Sequence, residues 1–298
     1  MLFDVTPFAP GFFSSAPVHT ALLVAGVAAV SSAVVGTFTV LRGQSFAGHS
    51  LSDIGSAGGS AALLVGVNPL YGFIAMNVVS AGVMELIGIR RPRGRDMSTG
   101  IVLGAALGLA ALFLYLDTTS TSTTGATANV LFGSIFTIST ATGPVVALLG
   151  ALSVLIMLLL YRPLLLSSVS PDLASARGIP QRLLGVGYLV TLALAVSLSA
   201  VATGAILSTA LLIGPAATAM RITRRLGVGI IVAAVLGVIE SWVGIALAYD
   251  SYDWTSAHQG WPVSFFIVTL VLVIYLVTCL PWSRLMSTPH RTAGESVA

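Results

Sequence analysis

The sequence predicts an all-α fold, a polytopic helical bundle crossing a membrane about nine times, or eight if one segment is a half-helix. Three observations carry this. Only 8% of the 298 residues are charged and 56% are apolar, with a mean hydropathy of +1.00, against the roughly 25% charge of soluble domains. Apolar runs recur at the length of about 20 residues that a helical span needs, and the ten-residue-scale alternation of an outer-membrane barrel is absent. Finally, all 13 basic residues are arginine and cluster at the ends of the runs, as the positive-inside bias requires.

Residues 1–17 hold one acid, Asp4, and no base, which places the N-terminus outside. The first run, about residues 18–41, is too long for a signal-peptide core and lacks a basic n-region; it ends at Arg42 on the cytoplasmic side. The second, about 44–66, carries His49 and Asp53, then Gly55, Ala57, Gly58, Gly59, Ala61 and Ala62. Such small residues let helix backbones approach closely in lipid, and Gly55 and Gly59 have GxxxG spacing. Asn68 and Pro69 form an outer turn into a third span, about 70–89. Its Glu85 lies near enough to the membrane edge to pair with the RRPRGRD run that begins at Arg90, the densest charge in the chain.

A fourth span, about 98–116, has Gly104 and Gly108 at the same spacing and exits at Asp117. After an uncharged polar loop, residues 129–138 (NVLFGSIFTI) are apolar but too short to cross, and are expected to form a surface or partly inserted helix. The fifth span, about 143–161, returns to Arg162. The polar SSVSPDLASARGIPQR stretch from Ser167 has proline at a helix start and glycine at its stop, so one short helix on the arginine side is expected, with an ordinary loop as the alternative.

Residues 183–220 contain no charge and accommodate two spans with a break near 202–204. Pro215 should kink or break the second of them. Arg221, Arg224 and Arg225 then mark the cytoplasm, and an eighth span, about 227–248, buries Glu240. An outer loop, 249–262, places Asp250, Asp253 and His258 among aromatic residues that suit a membrane interface. The last span, about 263–281, leads to Arg284 and a polar cytoplasmic tail of about 284–298. The whole chain, 1–298, reads as a single transmembrane domain with every arginine on one side.

Composition also excludes functions. Without lysine there is no Walker A loop, so any ATP that drives this protein is bound by another chain. The net charge of +3 is topological and gives no reason to expect nucleic acid. One cysteine, Cys279, can build neither a disulfide nor a thiolate cluster within the chain and reads as a small buried hydrophobe. The chemistry that remains is at membrane depth. His49 and Asp53, spaced i and i+4, share one helix face and offer a nitrogen and an oxygen ligand. Ionisable groups in a span are costly and indicate a pathway or a partner. Glu240 invites the same two readings, a structural hydrogen bond or a pathway position, and Asp250, Asp253 and His258 are candidates for receiving a cation or are simply solvated.

Four blocks occur in order: RGQSFAGHSLSD from Arg42, NVLFGSIF from Asn129, SPDLASARGIP from Ser170 and GAILSTALLIGPAATA from Gly204. Together they resemble the membrane permease subunits of the manganese/zinc/iron ABC importer family (ABC-3 type), over nearly the whole chain. The resemblance implies a type II ABC importer-like permease, homodimeric within membrane lipid. It further implies two cytoplasmic ABC ATPase subunits, an extracytoplasmic solute-binding protein and a location in the bacterial plasma membrane. The chain itself would be no enzyme and bind no resident cofactor; its cargo would be a divalent metal ion, zinc or manganese foremost and iron as a further candidate. Pro171, Asp172, Leu173, Ala174, Arg177 and Gly178 match the family's ATPase-coupling segment, about residues 168–180. In the second span the family usually has an acid after the glycine and a histidine four residues on. Here His49 occupies the acid's place and Asp53 the histidine's, which keeps the ligand set and exchanges the depths by about 6 Å. Two copies would present two imidazoles and two carboxylates, a set suited to Zn²⁺ or a similar ion. Two competing functions are a proton-coupled secondary metal transporter using His49, Asp53 and Glu240 as a relay, and an ABC importer of an intact metal chelate.

Overall fold

The computed structural model describes residues 12–88, 95–120, 126–133, 135–254 and 260–280. Among these, nine long helices appear: α1 (Ala16–Leu41), α2 (Ser45–Leu64), α3 (Pro69–Gly88), α4 (Arg95–Ser120), α6 (Thr142–Val169), α8 (Gln181–Thr203), α9 (Ser208–Ile222), α10 (Leu226–Asp250) and α11 (Val263–Cys279). Two short ones, α5 (Ala126–Phe132) and α7 (Pro171–Ala176), lie between them. Each long helix coincides with an apolar run, so hydropathy had placed the elements correctly.

The helix ends follow from glycine. At Gly43 (φ 64°) the N–H bonds Val40 O at 3.1 Å while Gln44 N–H bonds Thr39 O at 2.9 Å, the paired closure of a Schellman motif. Gly178 (φ 73°) closes α7 in the same way, with Gly178 N–H on Ser175 O and Ile179 N–H on Ala174 O.

Helices α1 and α8 form the centre, with 72% of their most apolar windows buried, whereas α4 and α6 have 17% and 28% buried and line the outside. Because lipid gives apolar side chains little reason to associate, the inner contacts rely on polar pairs and small residues. Asn77 Nδ2 donates to Ser197 Oγ at 2.9 Å, tying α3 to α8; Ser32 and Ser199 hydroxyls meet at 2.5 Å, tying α1 to α8. The α2 glycine stripe lies on α3, most closely at Gly58 and Gly72. A Cβ on either would come within 2.1 Å of the other's carbonyl oxygen. Gly104 and Gly108 of α4, in contrast, have nothing within 4 Å, so their spacing packs no helix among the described residues.

Three details depart from the sequence reading. Helix α6 does not stop at residue 161; it passes through Pro163 to Val169. At 28 residues it is about 42 Å long, beyond the roughly 30 Å hydrocarbon layer, so Arg162 and Pro163 fall in a stretch not confined by lipid. Ser168 therefore belongs to this helix, its hydroxyl bonding Leu164 O at 2.6 Å, and the short helix that follows starts at Pro171. Pro215 does not break α9, which runs continuously over its 15 residues. The interruption lies upstream at residues 204–207, and α9, about 22 Å long, makes only part of a crossing.

The exposed backbone of that interruption is satisfied by the NVLFGSIF stretch. Ala205 N–H donates to Val130 O at 3.0 Å and Ile206 N–H to Leu131 O at 3.3 Å. Non-helical backbone at membrane depth is tolerated where protein covers it, and α5 with the 3-10 turn Ile135–Thr137 provides that cover. Gly133 makes the close approach possible, since a Cβ there would sit 2.6 Å from Gly204 N.

Candidate functional site

His49 and Asp53 lie one turn apart on α2, with His49 Nε2 3.6 Å from Asp53 Oδ2. The other ring nitrogen, Nδ1, is 3.1 Å from the hydroxyl of Thr209, the second residue of α9, so a neighbouring helix fixes the imidazole's orientation. Beneath the pair, the buried Ser52 hydroxyl bonds Ala205 O and meets the Ser208 hydroxyl, anchoring α2 to the interruption before α9. Ser56 Oγ donates to Asp53 O at 2.5 Å. These serines and Thr209 are site residues that spacing alone missed; their signal was the polar pair Ser208–Thr209 opening an otherwise apolar block.

The pair is not inside the single chain. His49 is 48% exposed and Asp53 20%, and Phe46, one turn earlier on the same face, is also exposed. Among the described residues no three His, Cys, Asp or Glu side chains converge on a common point. One chain therefore presents one nitrogen and one oxygen donor on an open face, with no third such group beside them among the described residues.

Among the described residues, no other acid joins this pair. Glu240, on α10, is 1% exposed and neither carboxylate oxygen has a hydrogen-bond partner among the described residues. Its helix packs chiefly on α1, α9 and α11. Asp250 is buried at the end of α10. Asp253 ends a 3-10 turn, its side chain lying outside the described residues, as does His258 altogether. Around that loop Trp254, Trp261 and Phe266 form a ring cluster, with Trp254 and Trp261 centroids 6.3 Å apart, as an interfacial belt would. Glu85 points at α8, its carboxylate filling the space beside Gly185, while the side chains of the RRPRGRD run lie outside the described residues.

The short helix expected after the fifth span is present as α7. Ser170 is its N-cap, Pro171 opens it, Asp172 sits in the first turn where the helix dipole favours an acid, and Arg177 and Gly178 close it. Ala174 is fully buried, whereas Pro171, Asp172, Leu173, Arg177 and Gly178 are exposed. One residue anchors the segment and the others form a free surface.

Residues 15–281 match the model of the ABC 3 transport family. The chain is 32% identical over 251 residues to the manganese transport system membrane protein MntC of Halalkalibacterium halodurans, covering 83% of this chain and 84% of that one. It is 28% identical to the manganese import system permease protein ScaB of Streptococcus pneumoniae, covering 83% and 86%. Among solved structures, PsaBC from Streptococcus pneumoniae in complex with Fab superposes with a TM-score of 0.77 at 25% identity, over 92% of this chain and 95% of that one. An inward-facing structure titled as a metal-chelate type ABC transporter shares the fold at a TM-score of 0.70 and 15% identity, over 93% and 90%. With its helical architecture and a match that spans all but the ends of the sequence, this chain belongs to the ABC 3 transport family of membrane permeases.

Proposed function

We propose that this chain is the permease of a divalent-metal importer, and that two copies pair across the face bearing His49 and Asp53 so that the ion passes between them. The observation that carries this is the half-exposed His–Asp pair on an otherwise apolar bundle. Left against lipid, an acid at span depth costs about 2.5–3.5 kcal/mol on insertion scales. A second copy removes that cost and completes a set of two nitrogen and two oxygen ligands, which suits Zn²⁺ and also accommodates Mn²⁺. The manganese relatives favour Mn²⁺ as cargo, and the two imidazoles favour Zn²⁺.

The chain catalyses no covalent step. Two cytoplasmic ATPase subunits would drive alternation by acting on the exposed surface of α7, and an extracytoplasmic binding protein would deliver the ion, with the N-terminus outside and the C-terminus in the cytoplasm. Glu240 is a structural or gating residue in this scheme, since it stands apart from the His49–Asp53 pair.

The direct test is uptake of ⁵⁴Mn²⁺ and ⁶⁵Zn²⁺ into proteoliposomes holding permease and ATPase. Uptake that requires ATP and is lost without His49 and Asp53 supports the proposal. Uptake driven by a proton gradient without the ATPase would support the secondary-transporter reading. Transport of an intact chelate that survives loss of both residues would support the chelate reading.

A second expectation concerns Gly178. Nothing lies within 4 Å of a Cβ placed there, so Gly178→Ala meets no steric obstacle and its cost is the positive φ alone, about 1–2 kcal/mol. If that strain loosens the end of α7, affinity for the ATPase measured by titration falls about ten-fold. Unchanged affinity would remove Gly178 from the coupling surface.

A further inference from the structure

The polar contacts at the cytoplasmic end join into one path. Arg42 caps α1 within the tight Arg42–Gly43–Gln44 elbow that leads into α2. Its Nε donates to Gln44 Oε1 at 3.4 Å, and its Nη1 reaches across to Ser168 Oγ at 3.2 Å, two residues before the N-cap of α7. The guanidinium lies over the Tyr188 ring, 5.2 Å from the centroid. Tyr188 is 1% exposed, and its hydroxyl donates to Thr39 Oγ1 at 2.9 Å. The Thr39 methyl would be 3.7 Å from a Cβ on Gly48, the residue before His49. Next to Ser168 near the end of α6, Ser167 Oγ donates to Gln181 Oε1 at the start of α8 at 2.6 Å, so the two helices that flank α7 are tied to each other across it.

The packing gives this path a mechanical sense. Helix α2 packs extensively on α3 and α4 and only slightly on α1, so its cytoplasmic end is held to α1 mainly by the elbow. A displacement of α7 therefore has a short polar route to α2, through Ser168 and Arg42. Within that route the planar guanidinium is suited to the junction. It directs separate N–H groups at two partners and stacks on a ring with its face, a combination that lysine's single ammonium cannot reproduce.

We infer that Arg42 is a positioning residue that links the ATPase-coupling helix to the metal-ligand turn of α2, so that ATP hydrolysis and ion passage stay in step. This rests on the assignment of α7 as the ATPase-docking element, and it predicts a property that assignment alone does not. Removing the link should leave docking and hydrolysis intact while weakening the drive to α2.

The test measures ATP hydrolysis and ⁵⁴Mn²⁺ or ⁶⁵Zn²⁺ uptake in parallel, in proteoliposomes of the full complex, for wild type, Arg42→Ala, Ser168→Ala and the double variant. In Arg42→Ala the ions carried per ATP should fall about five-fold or more, the lower end of typical coupling free energies, with hydrolysis retained. Ser168→Ala should lower the same ratio, and the double variant should be no worse than Arg42→Ala because the two residues act through one contact. Tyr188→Phe, which keeps the ring under Arg42 but loses the bond to Thr39, should also lower the ratio. An unchanged ratio in Arg42→Ala overturns the inference, as does a proportional fall in hydrolysis and uptake, which would show support of the fold alone. Multiplicative effects of Arg42→Ala and Ser168→Ala would overturn it as well. Co-purification of the ATPase with each variant separates the two levels. If the wild-type chain does not retain the ATPase, the docking assignment itself fails; if every variant retains it and the ratio holds, only the role of Arg42 fails.

Discussion

Replacing both His49 and Asp53 by alanine is expected to abolish ATP-driven uptake of manganese and zinc, lowering the rate by about 100-fold or more. Loss of a residue that merely supports a ligand costs 10–100-fold in metal sites, and here the ligands themselves are removed. If two copies meet at this face, each double-alanine chain deletes one nitrogen and one oxygen, so the assembled site loses all four protein ligands at once. Folding should be spared, because the pair is half-exposed in one chain and α2 is fixed by Ser52 and its glycine face instead. A monodisperse protein that still hydrolyses ATP but moves no metal is the expected phenotype. The exchange His49→Asp with Asp53→His makes a finer test. It keeps the donor set and moves each donor by about 6 Å along the axis, so some transport should return, with altered preference between Mn²⁺ and Zn²⁺. Thr209 would then face a carboxylate, which its hydroxyl can serve as donor.

Gly58→Leu should be the most damaging single change to the fold. The new Cβ would sit 2.1 Å from the Gly72 carbonyl oxygen and 2.5 Å from Met76 Cβ, and the first obstacle is backbone that no rotamer change can move. Core overpacking typically costs 1–3 kcal/mol, and separation of two helices held at backbone contact should exceed about 3 kcal/mol. The readout is the yield of monodisperse protein and its thermal midpoint in detergent. Gly104→Leu, on the outward side of α4 with nothing within 4 Å, is the control and should change stability by no more than about 0.5 kcal/mol. Equal tolerance of both would mean that α2 and α3 are not in backbone contact.

Much of this architecture was legible because the bilayer imposes simple rules. Apolar runs gave the long helices and Gly178 gave the stop of α7, whereas Gly43, whose left-handed conformation closes α1 in the same way, was not read as a stop. Of the two outcomes expected at Pro215, a kink or a break, the continuous α9 excludes the break; α6 likewise runs on through Pro163, because whether a missing N–H ends a helix depends on what surrounds the freed carbonyl, and one sequence does not contain that. The NVLFGSIF stretch read correctly as too short to cross, but its role as cover for the break at residues 204–207 required knowing that two distant interruptions meet.

The site divided in the same way. Helical spacing put His49 and Asp53 on one face, and the structure agrees at 3.6 Å. Spacing said nothing about which side of the helix faces the interior, so the exposure of that face and the exclusion of Glu240 from it became visible only in three dimensions. Thr209 and Arg42 escaped notice for a related reason. Their partners are 160 and 126 residues away, and a threonine at a helix start or an arginine at a membrane edge has an ordinary explanation in sequence.

The measurement that bears most directly on the paired-ligand arrangement is the stoichiometry of metal binding to purified permease, by isothermal titration with Zn²⁺ and Mn²⁺ alongside the mass of the particle in solution. One tightly held ion per two chains is expected, bound only by a dimeric particle and lost on Asp53→Ala. One ion per chain, or binding undiminished when His49 and Asp53 are both alanine, would contradict it.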